Sequence, residues 1–310
     1  MKTTHHDLII LGSGPAGLSA GLYAARARID HLLIEKGAAG GQILLTDWID
    51  NYPGFPDGLS GFDLAEKMEA QARRFGLNTL TAEVININLL QTPKTLTLED
   101  GSELSCNALI LCTGARARRL GVPGEIELTG KGVSYCATCD APFYRDMHVA
   151  VVGGGNSAVQ EAAHLTKFAS RVTVIHRRDA LRATKIVQER AFANDKISFV
   201  WNSQVTAIEG EKGVKQLRLR DTAGRESTLD VDGIFILIGV LPNNEILPLQ
   251  LLKAEDGGFI PTDNETCTAV PGVFAAGDIR NKRVRQIINA AGEGATAVLA
   301  AEHYLNNFNS

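Results

Sequence analysis

The sequence predicts an α/β protein with two Rossmann-like folds, the second inserted into the first. Three observations carry that prediction. Gly12-Ser13-Gly14-Pro15-Ala16-Gly17 follows a short apolar run and opens a helical stretch, which is the context a G-x-G-x-x-G turn requires. Gly153-Gly154-Gly155-Asn156-Ser157-Ala158 repeats that arrangement in mid-chain with the permitted final alanine. With 310 residues, the chain also exceeds one typical hydrophobic core, so two domains are expected.

Composition narrows the class. Hydrophobic residues at 45% and charged residues at 21% describe an ordinary globular protein. A net charge of -4 gives no reason to expect nucleic acid or an anionic membrane as partner. Leu8 to Ala25 is apolar, but glycines and a proline interrupt it, and it reads as strand, turn and helix rather than as a secretion signal. No run approaches the length of a membrane span. Five cysteines with one close pair suit a reducing compartment, so a cytoplasmic location is expected.

In chain order, Asp7 to Leu11 reads as a buried parallel strand and Leu18 to Arg28 as the helix after the glycines. The glycines permit a tight turn, so that a pyrophosphate can reach the helix N-terminus. A second strand, His31 to Ile34, ends at Glu35, where a carboxylate can bind a ribose hydroxyl. Gly40-Gly41-Gln42 and Asn51 to Pro56 are dense in turn formers and suit a loop around a flavin ring. Gly61 to Phe75 has helical spacing, and residues 79 to 105 alternate as antiparallel strands do, with a turn at Glu99-Asp100-Gly101. Ala108 to Leu111 is a further buried strand, and Cys106 and Cys112 read as packed, inert thiols.

The middle of the chain holds Cys136 and Cys139 in C-x-x-C spacing, with Asp140 directly behind. Two thiols at that spacing can close a small disulfide ring and store two electrons. Asp140 is placed to exchange a proton with a neighbouring thiol. Half of a zinc site has the same spacing, but Cys106, Cys112 and Cys267 supply no second pair.

His148 to Val152 then forms a strand before the second glycine turn, and a helix runs through Thr166. The following strand, Arg171 to Ile175, runs into His176-Arg177-Arg178-Asp179, with Arg182 beyond. Arginine forks replace the acid of the first fold, which points to the 2′-phosphate of NADP rather than a free ribose hydroxyl. A meander from Phe199 to Phe235 and a strand from Gly233 to Gly239 close this domain. Gly272 to Asp278 reads as a strand ending in Gly277-Asp278, and a small-residue helix from Asn289 to His303 finishes the pattern, with its N-terminal dipole available to a flavin.

These motifs, together with Gly40 to Gln42, Arg285-Gln286 and Ile287, resemble the low-molecular-weight thioredoxin reductases of bacterial and plant type along the whole chain. The resemblance implies one FAD held by residues 1–116 and 244–310 together. Its site would be Gly12 to Gly17, Glu35, Lys36, Gly41, Gln42, Asn51, Gly277, Asp278, Arg285, Gln286 and Ile287. It implies NADPH in an inserted domain, 117–243, on Gly153, Gly155, Asn156, Ser157, Ala158, His176, Arg177, Arg178 and Arg182. It further implies a homodimer, a protein substrate of the thioredoxin kind, Cys139 facing the flavin, Cys136 attacking the substrate, Asp140 as the acid–base group, and hinges near Thr113–Gly121 and Gly239–Asn244. Ala141-Pro142 and Ile43-Leu44-Leu45 depart from the family pattern. Three other classes remain in view: a flavin thiol oxidase, which has no use for the arginines; an electron donor to ferredoxin or flavodoxin, which lacks the paired cysteines; and a redox-sensing FAD module, which needs no second nucleotide site.

Overall fold

The computed structural model describes residues 4–46, 48–255 and 257–308. The chain divides into two compact units. One comprises the described residues up to Arg116 together with those from Leu241 onward; the other is Ala117–Val240. The return crossing falls at Val240–Leu241, ahead of the expected 243/244, because Asn243 already belongs to the first unit. Its N–H donates to Gly114 O at 3.0 Å and its side-chain amide to Thr113 O at 2.7 Å.

The first segment opens with β1 (Thr4–Leu11), α1 (Pro15–Ala27) and β2 (His31–Glu35), a βαβ unit whose strands pair in parallel. Ile9 and Leu11 of β1 enter one core cluster and Leu8 and Ile10 another, so both faces are buried and the strand reads as a continuous apolar run. Pro15 starts α1 without losing a hydrogen bond, since the first amides of a helix have no acceptor within it. Ser60 caps α2 (Gly61–Arg74) by accepting the Asp63 N–H at 3.0 Å.

β3 (Thr79–Thr81) is a parallel edge beside β2, not the start of the expected antiparallel set. Three residues are too few for alternation to reveal which neighbour a strand takes. β4 (Val84–Asn88), β5 (Lys94–Leu98) and β6 (Glu103–Leu111) do pair antiparallel, and β6 runs parallel to β1 from Leu104 to Leu111. β7 (Ala115–Ala117) leads into the second unit.

That unit contains β8 (Val133–Ser134), α3 (Ala137–Asp140), β9 (His148–Val152), α4 (Asn156–Leu165), β10 (Arg171–Ile175) and α5 (Lys185–Phe192). β11 (Ile197–Val200), the meander β12 (Ser203–Glu209), β13 (Gln216–Asp221) and β14 (Glu226–Asp230), and β15 (Gly233–Ile236) follow. Its parallel sheet has the order β11-β10-β9-β15-β8. α5 has no counterpart among the sequence expectations, because it is short and apolar residues such as Ile186 and Phe192 lie on its exposed side.

The chain leaves through β16 (Val240–Pro242), which pairs with β7. β17 (Val273–Ala275) then adds to β6, and α6 (Ile287–Phe308) packs on α1. A Cβ on Gly294 would stand 2.1 Å from Ala16 O, so this glycine of α6 is explained by the close helix contact.

Candidate active site

In the second unit, Cys136 and Cys139 are joined as a disulfide, with Cα atoms 5.3 Å apart. Both are half-buried; Ala137 between them is fully buried. Cys136 ends an extended stretch and α3 starts after it, so the tight ring is closed over one helical turn. Ser134, buried at the end of β8, donates its hydroxyl to Asp140 Oδ2 at 2.6 Å. Ser134 Oγ also accepts the Cys136 N–H at 3.1 Å. One buried hydroxyl therefore fixes both the acid and the backbone of the first cysteine. On the other side, Glu161 of α4 accepts the Ala137 N–H at 2.9 Å. Burial holds the Glu161 carboxyl above the usual carboxylate range, partly offset by that amide.

The glycine turn of this unit lies at the start of α4. Gly153 has φ 151° and a Cβ there would meet Leu237 O at 2.5 Å, whereas a Cβ on Gly155 would meet nothing within 4 Å. The turn is tied to the arginine segment, since Gly154 O accepts the N–H of Arg182 at 2.7 Å and of Ala183 at 3.1 Å. Asn156 Oδ1 accepts the Thr184 N–H at 2.8 Å, so that part of its side chain braces the loop. His176 is buried over Gly154, and its Nε2 has no hydrogen-bond partner. Burial, and then the nearby Arg182, Arg178 and Arg177, hold its pKa below the ordinary histidine value. Those three arginines are exposed, and no carboxylate pairs with them among the described residues. Ser157 and Ala158 complete the first turn of α4, which carries no acidic residue.

In the first unit, Gly12 has φ 101° and a Cβ there would meet Cys112 O at 2.5 Å, and a Cβ on Gly17 would stand 1.8 Å from Gly12 O. Gly14 again faces open space. Glu35 Oε2 accepts both the N–H and the hydroxyl of Ser13 at 2.9 Å, and Oε1 accepts the Gly37 N–H at 3.0 Å. Lys36 points instead to Glu83, at 3.2 Å. Gly41, at φ 60°, sits against Gly14, with Gln42 exposed beside it. Asn51 Nδ2 donates to Gln286 Oε1 at 3.2 Å, and Ile287 packs into the cluster of Ile43, Ile49 and Leu64. The two chain segments of this unit thus contribute to one surface.

Gly277 follows β17, and its N–H donates to Glu293 of α6 at 2.8 Å. Asp278 is half-buried, and burial raises its pKa against the lowering effect of Lys282. Lys282 Nζ stands 3.2 Å from Asp278 Oδ1 as an ion pair, yet that buried oxygen accepts no aligned hydrogen bond. The Arg285 guanidinium lies over the Phe259 ring at 4.4 Å, its Nη1 donates to Lys282 O at 2.9 Å, and its buried Nε has no acceptor.

The pyridine nucleotide-disulphide oxidoreductase family matches residues 6–294. The thioredoxin reductase of Mycolicibacterium smegmatis is 48% identical over 97% of each chain, and that of Bacillus subtilis 44% identical over 97% of this chain and 95% of its own. The crystal structure of thioredoxin reductase from Streptococcus pyogenes superposes with a TM-score of 0.93 at 44% identity, covering 99% of this chain and 100% of that one. The chain belongs to the thioredoxin reductases.

The residues present fit the FAD and NADPH with which thioredoxin reductases work. Gly14 and Gly155 lack side chains although no protein atom requires it, which leaves room for a phosphate to approach each backbone. Asp278 Oδ1 is an orphaned buried acceptor suited to a sugar hydroxyl, and the unpaired arginines suit a phosphate monoester. Reading the sequence as a thioredoxin reductase did not single out Ser134, Glu161 or Glu293. Each acts through hydrogen bonds that only the folded chain makes, Ser134 to Asp140 and Cys136, Glu161 to Ala137, and Glu293 to Gly277 and Lys282, and no residue pattern announces them. Glu125 was missed for the same reason: buried to 1% exposure, it accepts from Leu120 N, Gly121 N and the Tyr135 hydroxyl at 3.0, 2.7 and 2.9 Å.

Proposed function

We infer that the protein is an FAD-dependent NADPH:thioredoxin-disulfide oxidoreductase that works through the Cys136–Cys139 disulfide. The observation that carries this reading is the closed disulfide in the same compact unit as a glycine turn flanked by three unpaired arginines. The first unit holds FAD through Gly12 to Gly17, Glu35, Asn51, Asp278, Arg285 and Gln286. The second holds NADPH through Gly153 to Ala158, with Arg177, Arg178 and Arg182 around its 2′-phosphate.

When bound, the two nucleotides supply an electron pair to the protein disulfide. Opening Cys136–Cys139 consumes two electrons and two protons and leaves two thiols. Asp140, held by Ser134, exchanges one of those protons. The Cys136 thiolate attacks one sulfur of the substrate disulfide, forms a mixed disulfide and releases one substrate thiolate. Cys139 then attacks Cys136 Sγ, releases the second substrate sulfur and re-forms the protein disulfide. The support for assigning Cys136 as attacker and Cys139 as the inner thiol is the resemblance to the family. The same resemblance supports a homodimer, and the cysteine usage supports a reducing, cytoplasmic compartment.

An anaerobic NADPH titration of the purified yellow protein tests the reading. Flavin plus disulfide take up two hydride equivalents, and thioredoxin then reoxidises the protein. Uptake of one equivalent would leave the cysteines outside the circuit and overturn it.

A further inference from the structure

The first amide of the cysteine helix is not free. Ala137 N–H, which directly follows Cys136, donates to Glu161 Oε2 at 2.9 Å. Ala137 is fully buried, so solvent does not compete for that amide. Glu161 comes from α4, the helix that opens at the second glycine turn, and its backbone position is set by the alanine packing of that helix on β9 and β10.

A cysteine at the start of a helix commonly has its thiolate stabilised by the amides that follow it, which lowers the thiol pKa. Stabilising the reduced form in this way makes a C-x-x-C pair more oxidising. Here the nearest such amide is taken, and the group that takes it carries negative charge. Both effects oppose a thiolate on Cys136. A pair that must give electrons away benefits from that opposition, since a less stable dithiol form is a better reductant.

We propose that the Glu161 carboxylate sets the reducing poise of the Cys136–Cys139 pair by placing negative charge on the amide beside Cys136 and disfavouring its thiolate. Glu161 is a positioning and electrostatic residue; it takes no part in bond exchange. The proposal rests on the redox role of the pair inferred above.

The test uses the FAD-loaded enzyme equilibrated with reduced and oxidised glutathione. The exchange is balanced: two glutathione thiols and the protein disulfide give glutathione disulfide and the protein dithiol. The fraction reduced is read by mass after alkylation, on the peptide that carries both cysteines. Glu161→Gln keeps an oxygen acceptor for Ala137 but removes the charge, and Glu161→Ala removes both. The expected result for Glu161→Gln is about a tenfold shift of the exchange constant toward the dithiol, about 30 mV. The pH dependence of Cys136 alkylation should move to lower pH in the same variant. A Glu161→Gln protein with wild-type exchange constant and wild-type alkylation profile overturns the proposal. A shift in Glu161→Ala alone also overturns it, because only the hydrogen bond would then matter. Flavin absorbance and thermal melting report whether each variant is folded. If NADPH fails to reduce the disulfide of the wild-type enzyme, the functional reading fails; the glutathione equilibrium of the variants decides the Glu161 proposal separately.

Discussion

Ser134 Oγ lies 2.6 Å from Asp140 Oδ2 and 3.1 Å from the Cys136 amide nitrogen, so the acid and the first cysteine share one buried hydroxyl. The hydroxyl has a single proton, and the shorter contact assigns it to the carboxylate. Ser134→Ala would take one partner from the carboxylate and one from the Cys136 amide, and it should lower kcat/KM for thioredoxin. Asp140→Asn should lower the rate of disulfide reduction by about 10²- to 10⁴-fold, the usual share of a general acid–base group. In the Asp140→Asn background, Ser134→Ala should cost less than it does alone, because the two side chains act through one contact. Steady-state rates of the three variants check this, and equal losses from Ser134→Ala in both backgrounds would refute it.

The glycines of the first turn divide into structural and ligand-facing positions. A Cβ at residue 17 would stand 1.8 Å from Gly12 O, so Gly17→Ala should lower the melting temperature of the apoprotein by well over 5 °C. A Cβ at residue 14 meets nothing within 4 Å, so Gly14→Ala should leave apoprotein melting nearly unchanged and weaken FAD binding at least tenfold. Differential scanning of apoprotein and FAD fluorescence titration separate the two outcomes.

Among the described residues, Arg177 and Arg178 have no carboxylate partner to lose. The double substitution to alanine should therefore keep the fold and raise KM for NADPH about 10- to 100-fold, at roughly 1.5–3 kcal/mol for hydrogen bonds to charge. KM for NADH should change little. Equal losses with both nucleotides in steady-state assays would sink the 2′-phosphate assignment.

The pH behaviour of that site follows from His176. Burial, and then the fields of Arg182, Arg178 and Arg177, hold its folded pKa below the unfolded value. It therefore contributes stability present above the unfolded pKa, about 6.5, and lost as pH falls through the lower folded value. A 2′-phosphate among the arginines offsets their field and should move the His176 titration to higher pH. Nuclear magnetic resonance titration of the His176 ring with and without adenosine 2′,5′-bisphosphate measures that shift, and an unmoved midpoint would contradict it.

Glu125 is an energetic keystone close to where the chain enters the second unit. Glu125→Ala would leave the amides of Leu120 and Gly121 and the Tyr135 hydroxyl without acceptors, at about 1–3 kcal/mol for each that stays dry. The expected loss is at least about 3 kcal/mol in urea unfolding. Tyr135→Phe removes one bond only and should cost about 1 kcal/mol. The Tyr135 phenol is pushed up to about 12, first by burial and then by Glu125, so its ionisation should be absent from ultraviolet titration below pH 11.

Much of this was legible in the residues. Both glycine turns, the flanking strands and the cysteine pair are local patterns, and their signal survives because neighbours in sequence make the contacts. Cys106 and Cys112 likewise read correctly as packed thiols, and burial holds Cys106 up to about 12 and Cys112 higher still. The strand Thr79–Thr81 was misread because its partner is β2 rather than its successor. Asn51 and Gln286 are 235 residues apart, and only a resemblance could place both at one site. Ser134, Glu125 and Glu161 left no trace because a buried serine or glutamate looks, in one sequence, like any surface polar residue.

The first unit takes β17 and α6 from residues that follow the whole second unit. On a ribosome, its sheet cannot gain its last parallel strand until the inserted unit has emerged. The inserted unit is contiguous, and Arg118 N–H already bonds Gly239 O near its two ends, at 2.9 Å. It should therefore be the first part of the nascent chain to resist protease, ahead of the segment made before it. Chains arrested just after Ala276 should yield a protected central fragment and a digestible N-terminal one, an order of maturation opposite to the order of synthesis.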